Sequence, residues 1–260
     1  MYKVLLIFFV SLFTTASAAN NYTINVSESA SYQLGQAQIE TLFNKIYAPL
    51  DITPHYIFLP SKRGLEQVNA GLYDAEAGRF TIIGNQYKSL LMIPTPLAEL
   101  KIVLFCIEES FCQLDVNQGF LTISGTLFTE ALCESKLLSC NTVINDKSAF
   151  IALKKQRAHA IIGNSLFPKG TLCESGLEQV YIREILGQSF PLHHFIHKRH
   201  QALLAPLEQS ISKLKASGEI TVILNEIANE FTHCNGKIIE LPPIQLNSSI
   251  DDGLILNIMN

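Results

Sequence analysis

Polar residues follow several of the predicted strands at the point where each strand ends. Ligands of open α/β sheets bind outside the carboxyl ends of the strands, so residues in these positions are candidates for a binding site. We therefore expect ligand contacts at six positions. They are Arg79, Ser124, Gly125, Thr126, Glu28 and Asn164.

Arg79 and the Ser124-Gly125-Thr126 turn indicate which ligand groups could be bound. A guanidinium can grip a carboxylate with two parallel hydrogen bonds. A salt bridge at the surface or between two parts of the protein is an equal alternative for Arg79. The turn precedes a predicted helix, so its backbone N–H groups and a hydroxyl could hold an anion. An ordinary N-cap role for Thr126 explains the same residues equally well.

A group of histidines, His193, His194, His197 and His200, raises the alternative of a metal site. On a helix, the first, third and fourth of these would share one face and could bind zinc or another metal. Pro191 and the alternation of apolar residues instead favour an extended segment up to about His197, which would scatter the ligands. We therefore expect no metal and no other cofactor.

Catalytic signatures are mostly missing from the sequence. The motifs G-x-S-x-G, H-E-x-x-H and G-x-x-x-x-G-K do not occur. Ser212–Lys215 matches S-x-x-K, but it lies on a helical pattern without the motifs that accompany it in enzymes. We therefore expect a protein that is not an enzyme.

The composition describes a folded and mildly acidic protein. The chain has 260 residues, of which 48% are hydrophobic, and its formal net charge is −4. A chain this apolar can offset the entropy lost on folding, which excludes disorder. Because no basic excess is present to neutralise phosphates, we expect no nucleic-acid partner.

The first 18 residues have the organisation of a secretory signal. Lys3 provides a positive charge, Val4–Phe13 is apolar, and Ala16-Ser17-Ala18 matches the small-residue cleavage pattern. The apolar run is too short to span a bilayer, which needs about 20 residues. We therefore expect a cleaved signal peptide and an exported protein.

Six cysteines follow the predicted signal. In an oxidising compartment an even number indicates disulfides, although six cysteines allow 15 pairings. The neighbours in sequence, Cys106 with Cys112 and Cys133 with Cys140, are the simplest pairs and leave Cys173 with Cys234. A zinc site is the alternative, but no C-x-x-C spacing is present.

The elements that position these residues alternate between strand and helix. In the first half, the predicted strands are Thr23–Val26, His55–Leu59, Tyr73–Ala77 and Leu90–Ile93. The predicted helices are Leu34–Ala48 and Ser61–Ala70, and a turn is predicted at Ser27–Tyr32. A second cycle contains strands Lys101–Ile107, Phe120–Ser124, Thr142–Ile144 and His159–Ile162, with helices Leu127–Leu138 and Lys147–Gln156. Helices at Leu203–Lys215 and Ile220–Phe231 finish the pattern. This alternation predicts mostly parallel sheets covered by helices, and two α/β lobes with a cleft are the economical arrangement.

The stretch Leu59–Arg79 (LPSKRGLEQVNAGLYDAEAGR) resembles extracytoplasmic solute-binding proteins of family 3, the amino-acid-binding type of ABC transport systems. In that family a strand is followed by a helix that begins near a proline, and then by a glycine and an aspartate. Here these are Pro60, Gly71 and Asp74.

Two later stretches carry the same resemblance. Lys154–Asn164 looks like the family's second element of helix, basic turn and strand. His193–Ile220 is similar to the return crossover and last helix of a divergent bacterial subgroup. The resemblance covers Thr23–Phe231.

The chain departs from the family where the ligand would bind. Family members usually carry a T-x-E-R segment whose arginine clamps the ligand α-carboxylate, whereas this chain has Gly84–Tyr87 there, without arginine. Arg79 is the substitute candidate, and we expect its side chain to serve the cleft and not the core. The family often has an aspartate for the α-ammonium after the strand of the second lobe, where this chain has Asn164.

The resemblance implies a periplasmic-binding-protein-like α/β fold, with two lobes joined by two crossover strands and a ligand cleft between them. The expected division of the chain is a signal peptide at 1–18, lobe 1 at 19–101, lobe 2 at 102–195, a return to lobe 1 at 196–240 and a C-terminal tail at 241–260.

The implied function is capture of a small polar ligand, an amino acid or a carboxylate-like molecule, by closure of the lobes in the periplasm. The expected partner is an inner-membrane ABC permease or a sensor protein, and we expect a monomer. One alternative is a ligand-sensing or accessory module that is not coupled to transport. Another is a secreted dehydratase on the same fold.

Overall fold

The computed structural model describes residues 21–166, 169–230 and 236–244. The predicted signal peptide and most of the predicted tail lie outside these residues. The described strands are β1 (Thr23–Ser27), β2 (His55–Leu59), β3 (Ala75–Phe80), β4 (Leu90–Met92), β5 (Ala98–Cys106), β6 (Gly119–Ile123), β7 (Ser139–Val143), β8 (Ala160–Asn164), β9 (Gln179–His197) and β10 (Lys237–Leu241).

Helices alternate with these strands, as the sequence pattern predicts. The described α-helices are α1 (Glu28–Leu34), α2 (Gln36–Tyr47), α3 (Ser61–Asn69), α4 (Ile83–Gln86), α5 (Leu127–Ser135), α6 (Asp146–Lys154), α7 (Lys169–Ser175), α8 (Leu204–Ala216) and α9 (Glu219–Glu230). A 3₁₀-helix at Lys198–Leu203 joins β9 to α8. None of the helices in the described part of the chain has both the length and the hydrophobicity needed to cross a membrane.

The strands form a continuous curled sheet in the order β2-β1-β3-β9-β5-β8-β6-β7, with β4 and β10 also paired to β9. The pairs β1–β2, β1–β3, β6–β7 and β6–β8 are parallel, as expected for strands connected by helices. β5 and β9 run antiparallel to each other and to their neighbours β8 and β3. The parallel parts are therefore two separate groups of strands.

These two groups are the two lobes. Lobe 1 contains β1–β4 with α1–α4, α8 and α9, and lobe 2 contains β6–β8 and β10 with α5–α7. β5 and β9 connect the lobes, because Ala98–Lys101 pairs with β9 next to lobe 1 and Val103–Cys106 pairs with it next to lobe 2. The predicted α/β fold of two lobes with two crossover strands is confirmed.

Apolar periodicity explains both cores. In lobe 1, the predicted stripe Ile39, Leu42, Phe43 and Ile46 of α2 is buried against β1, β3 and α8. In lobe 2, alternate residues of β5 enter separate cores, with Ile102 and Leu104 on one face of the sheet and Val103 and Phe105 on the other. Both faces of this strand are buried, so its sequence is apolar throughout.

The segment predicted as a turn at Ser27–Tyr32 is instead the start of helix α1. The Ser27 hydroxyl accepts a hydrogen bond from the Ala30 N–H at 3.1 Å and caps this helix. Gly35, with φ of 75°, separates α1 from α2. Gln33 of α1 hydrogen-bonds to Asp146 of lobe 2, and the sequence of this helix lacks the continuous apolar stripe that indicated α2.

The end of the described chain lies in lobe 2. β10 pairs in parallel with Gln179–Arg183 of β9, on the lobe 2 portion of that strand. The sequence-based division placed residues up to 240 in the return to lobe 1, whereas α8 and α9 return there and β10 does not. The half-buried Ile238 and Ile239 fit a strand that adds to an open sheet edge.

Two of the predicted disulfides are present, Cys106–Cys112 and Cys133–Cys140. Cys173 is also disulfide-bonded. Its predicted partner, Cys234, lies outside the described residues, so that pairing stays a prediction.

Candidate functional site

A cavity of about 120 Å³ lies between the two lobes. Its walls are mostly apolar, and both lobes contribute polar side chains. Lobe 1 supplies Ser27, Ser29, Gln33, Ser61 and Arg79, and lobe 2 supplies Thr126, Asp146 and Asn164. An apolar cavity with a few convergent polar groups is the usual form of a small-molecule site.

Arg79 lines the cavity but is also held inside lobe 1. A terminal nitrogen of its guanidinium lies 2.9 Å from Glu76 Oε1, and Glu76 is fully buried. Glu76 Oε2 accepts a hydrogen bond from Asn25 Nδ2 at 2.6 Å. Burial raises the pKa of Glu76, and the charge of Arg79 and the Asn25 bond oppose that rise. Arg79 therefore lines the cleft and also belongs to the interior of lobe 1, where it is the counter-ion of a buried carboxyl group.

The backbone of β3 makes this ion pair possible. In a regular strand, side chains three residues apart point to opposite faces. The register of β3 against β9 shifts between Glu76 and Arg79, and this irregularity lets both side chains meet. One donor of Arg79, Nε, is buried and has no protein partner.

Ser61 connects Arg79 to lobe 2. Its hydroxyl accepts a hydrogen bond from the Arg79 guanidinium and donates one to the Gly125 carbonyl oxygen at 3.2 Å. A Cβ atom on Gly125 would lie 2.4 Å from the backbone nitrogen of Lys62, so the lobes approach closely only because residue 125 is glycine. The structure is therefore a closed form.

The predicted anion cradle at Ser124-Gly125-Thr126 is occupied by the protein itself. The Gly125 N–H donates to the Glu130 carboxylate at 2.8 Å. Thr126 is the N-cap of α5, but its side chain makes no capping hydrogen bond. The turn contributes the Gly125 backbone and the Thr126 side chain to the cavity wall, without an open set of N–H groups at Gly125.

Asp146 is a buried acid on the lobe 2 side of the cavity. It is the first residue of α6, after the N-cap Asn145, and its exposed fraction is 6%. Its Oδ1 accepts a hydrogen bond from Gln33 Nε2 of lobe 1 at 3.1 Å, whereas its Oδ2 is buried without a protein partner. Burial raises the pKa of Asp146, and the neighbouring polar side chains of Ser29 and Gln33 only partly oppose this rise.

Aromatic rings close another side of the cavity. Phe80 at the end of β3 and Phe128 in α5 both line it, and their ring centroids are 5.4 Å apart. Phe128 also packs on Phe190 of β9, with a centroid distance of 4.4 Å. This apolar contact between the lobes keeps water away from the polar groups of the wall.

Of the remaining predicted contacts, Asn164 lines the cavity, whereas Glu28 and Ser124 do not. Asn164 lies at the end of β8 on the cavity wall, and its Oδ1 accepts a hydrogen bond from the Leu166 N–H at 2.9 Å. Glu28 is the first residue of α1, and Ser124 extends the pairing of β6 through its N–H to the Val143 carbonyl.

The histidine group forms part of the lobe 1 structure. His193 and His194 are successive residues of an extended strand, so their rings point to opposite faces. Burial lowers the pKa of His194 to about 4. The neutral ring donates from Nδ1 to the Ala77 carbonyl oxygen and accepts the Tyr47 hydroxyl at Nε2, 2.7 Å away. Among the described residues, no group of three His, Cys, Asp or Glu side chains is arranged to hold a metal ion.

The polar residues of the wall that were not among the six predicted ligand contacts include Asp146, Gln33 and Ser61. Asp146 follows β7 by three residues, and the rule that selects the carboxyl ends of strands applies to it as well. Ser61 was predicted as the N-cap of α3 but is its first helical residue, after Pro60. Gln33 lies on α1, which was not predicted as a helix.

Comparisons with known proteins place the fold. The sequence matches no protein-family model and no curated protein sequence. The substrate-binding protein of an amino acid ABC transporter superposes with a TM-score of 0.66 at 18% identity, over 80% of this chain and 99% of that one.

Two further solved structures agree. The glutamate-bound ligand-binding core of GluR0 from Nostoc punctiforme gives a TM-score of 0.65 at 12% identity, over 79% of this chain and 98% of that one. An ancestral amino-acid-binding protein, described as a precursor of cyclohexadienyl dehydratase, gives 0.65 at 14% identity, over 80% and 95% of the two chains. The chain therefore has the two-lobed fold of the periplasmic binding proteins.

Proposed function

We propose that this protein is a divergent member of the family 3 solute-binding proteins and captures a small polar ligand in the cavity between its lobes. The observation that carries the proposal is the pair of unsatisfied polar atoms on opposite walls, Arg79 Nε in lobe 1 and Asp146 Oδ2 in lobe 2. Buried polar groups normally have hydrogen-bond partners, so each atom is accounted for by a ligand that fills the cavity.

Closure would supply the binding selectivity. The contacts Ser61–Gly125, Gln33–Asp146 and Phe80–Phe128 form across the cleft in the closed form. A ligand that touches both lobes stabilises this form over an open one, and β5 and β9 are the segments about which the lobes would rotate.

Size limits the ligand. The cavity of about 120 Å³ is slightly smaller than the roughly 150 Å³ cavities that hold benzene in protein interiors. A molecule of about six non-hydrogen atoms, the size of benzene, is therefore at the upper limit of what fits without opening the lobes.

Binding without turnover is the better proposal for this site. Of the side chains that line the cavity in the described part of the chain, Asp146 is the one with a carboxyl group. A dehydratase would require a second acid or base beside Asp146. None of the described residues that line the cavity supplies one.

Transport is the proposed role of the captured ligand, with export to the periplasm and an inner-membrane ABC permease as partner. The likeness to the substrate-binding protein of an amino acid ABC transporter supports this proposal. A sensing role remains the second proposal, supported by the likeness to the ligand-binding core of GluR0.

The first experiment is a thermal-shift screen of residues 19–260 against amino acids, small carboxylates, amines, polyamines and divalent metals. A ligand at 100 times its Kd adds about 2.7 kcal/mol to the free energy of unfolding. Small-angle X-ray scattering should then show a smaller radius of gyration with the ligand than without it. No stabilisation by any compound in the panel would contradict the proposed function. Uptake of the identified ligand in cells with and without the gene separates transport from sensing.

A further inference from the structure

The two charged side chains on the cavity wall differ in how their charges are balanced. Within the described part of the chain, the charged residues that line the cavity are Arg79 and Asp146. The charge of Arg79 is matched by Glu76 at 2.9 Å inside lobe 1. Asp146 has no ion pair with a described residue, and its Oδ1 receives a hydrogen bond from the neutral side chain of Gln33.

When Asp146 is ionised, the closed cavity therefore has one negative group without a counter-ion among the described residues. Arg79 and Glu76 together are neutral, and Asp146 adds a carboxylate that is 6% exposed. An ionised carboxylate removed from water costs several kcal/mol unless an opposite charge accompanies it. Its free oxygen, Oδ2, is the atom at which such a charge would be placed.

We propose that the ligand is a small organic cation, whose ammonium group binds Asp146 Oδ2 and whose apolar part lies against Phe80 and Phe128. This inference rests on the proposed function, because it assigns the ligand class of the same cavity. It differs from the sequence-based expectation, in which Arg79 grips a carboxylate.

Charge balance favours such an amine over an amino acid or a carboxylate. A monocation makes the closed site neutral, a zwitterion leaves it with one negative charge, and a carboxylate adds a second. Arg79 does not reverse this order, because Glu76 already neutralises it. The Arg79 Nε–H is available for a neutral acceptor such as a hydroxyl of the ligand.

Four compounds of matched shape test the ligand charge: isobutylamine, isobutanol, isobutyrate and valine, which is isobutylamine with an added carboxylate. A second series of benzylamine, benzyl alcohol and benzoate repeats the comparison of charge with larger ligands. Calorimetric titration should give the amine of at least one series a Kd at least tenfold lower than its neutral and anionic counterparts, and isobutylamine should bind more tightly than valine.

The variant Asp146→Asn tests the residue, since it keeps the shape of the side chain and removes the charge. It should weaken amine binding at least tenfold, whereas Asp115→Asn, at an exposed acid of lobe 2, should leave it unchanged. Without ligand, Asp146→Asn should also have a smaller radius of gyration than the wild type, because closure no longer buries a charge.

The outcomes separate this inference from the proposed function. Tighter binding of isobutyrate, benzoate or valine than of the amines would overturn the cationic ligand and leave solute capture standing. Equal amine affinity of the wild type and Asp146→Asn would overturn the role of Asp146. If no probe of either series and no compound of the screening panel binds, both the cationic ligand and the proposed function are overturned.

Discussion

Ser61 and Gly125 form a hydrogen bond across the cleft, with the hydroxyl of Ser61 donating to the carbonyl oxygen of Gly125 at 3.2 Å. The two residues belong to different lobes and are 64 positions apart in sequence. Because the same hydroxyl accepts a hydrogen bond from Arg79, lobe closure and the position of Arg79 are coupled. Changes at either residue should therefore alter ligand binding through closure.

Gly125→Ala should block this closure. The added Cβ would lie 2.4 Å from the Lys62 backbone nitrogen, and φ of +80° is strained for alanine. The expected result is a loss of ligand affinity of at least tenfold, with a radius of gyration that no longer decreases on adding ligand. Calorimetry and small-angle scattering measure the two effects.

Gly218→Ala is the matched control for this variant. Gly218 has the same φ of +80°, but nothing lies within 4 Å of the Cβ position. Its alanine variant should lose some stability from the backbone strain, about 1–2 kcal/mol, and keep the wild-type ligand affinity. Equal affinity of Gly125→Ala and Gly218→Ala would show that the close approach at Gly125 does not control binding.

Arg79→Ala should destabilise the fold as well as the site. Its removal leaves Glu76 as a buried carboxylate without a counter-ion, a change that typically costs about 3–5 kcal/mol. The double variant Arg79→Met with Glu76→Gln removes both charges and should cost less than Arg79→Ala alone. Denaturant unfolding monitored by circular dichroism compares them.

The reference for this comparison is Arg63→Ala, at an exposed position of the same lobe. It should leave the free energy of unfolding within about 0.5 kcal/mol of the wild type. A double variant that costs as much as the single variants Arg79→Met and Glu76→Gln added together would mean that the two charges do not depend on each other.

The alternation of strands and helices was predictable because it reflects burial. The apolar stripe of α2 indicates that one face of the helix is buried, and the apolar run of β5 indicates that both faces of the strand are buried. Local disulfides were predictable for a similar reason, since Cys133 and Cys140 are close in sequence and lie on adjoining elements.

The role of Arg79 could not be predicted from spacing. Regular strand geometry places Glu76 and Arg79 on opposite faces, and the irregularity of β3 that brings them together depends on its pairing with β9, more than 100 residues later. Asp146 was missed for another reason. The predicted helix began at Lys147, so the acid at its first turn was treated as part of a loop.

Removal of the Cys133–Cys140 disulfide should lower stability by an amount set by its short loop. The two cysteines are 7 positions apart and join the end of α5 to β7. Loop-closure entropy for this length corresponds to about 2.5 kcal/mol. The variant Cys133→Ala with Cys140→Ala should show this loss in denaturant unfolding under oxidising conditions, and a loss below 0.5 kcal/mol would contradict the expectation.

Asp74 should make the fold sensitive to acid. Its carboxylate accepts hydrogen bonds from the Thr23 N–H at 2.7 Å and from Arg199 at 2.5 Å, and it contacts His200. Burial alone would raise the pKa of Asp74, but these donors outweigh it and hold the pKa below its ordinary value. The stabilisation is therefore present above about pH 4, the ordinary pKa of aspartate, and is lost as the pH falls through the lower value of the folded state.

Asp74→Asn should remove this dependence, because the side chain no longer titrates. At pH 7 the variant should be less stable by about 1 kcal/mol, a modest figure because the side chain of Arg199 is 40% exposed and its charge is screened by water. The free energy of unfolding, measured from pH 2 to pH 7, should converge for the wild type and Asp74→Asn at the acid end. Glu134→Gln, at an exposed position of α5, should follow the wild-type curve throughout. Parallel curves for the wild type and Asp74→Asn across the whole range would show that the contacts of Asp74 do not depend on its charge.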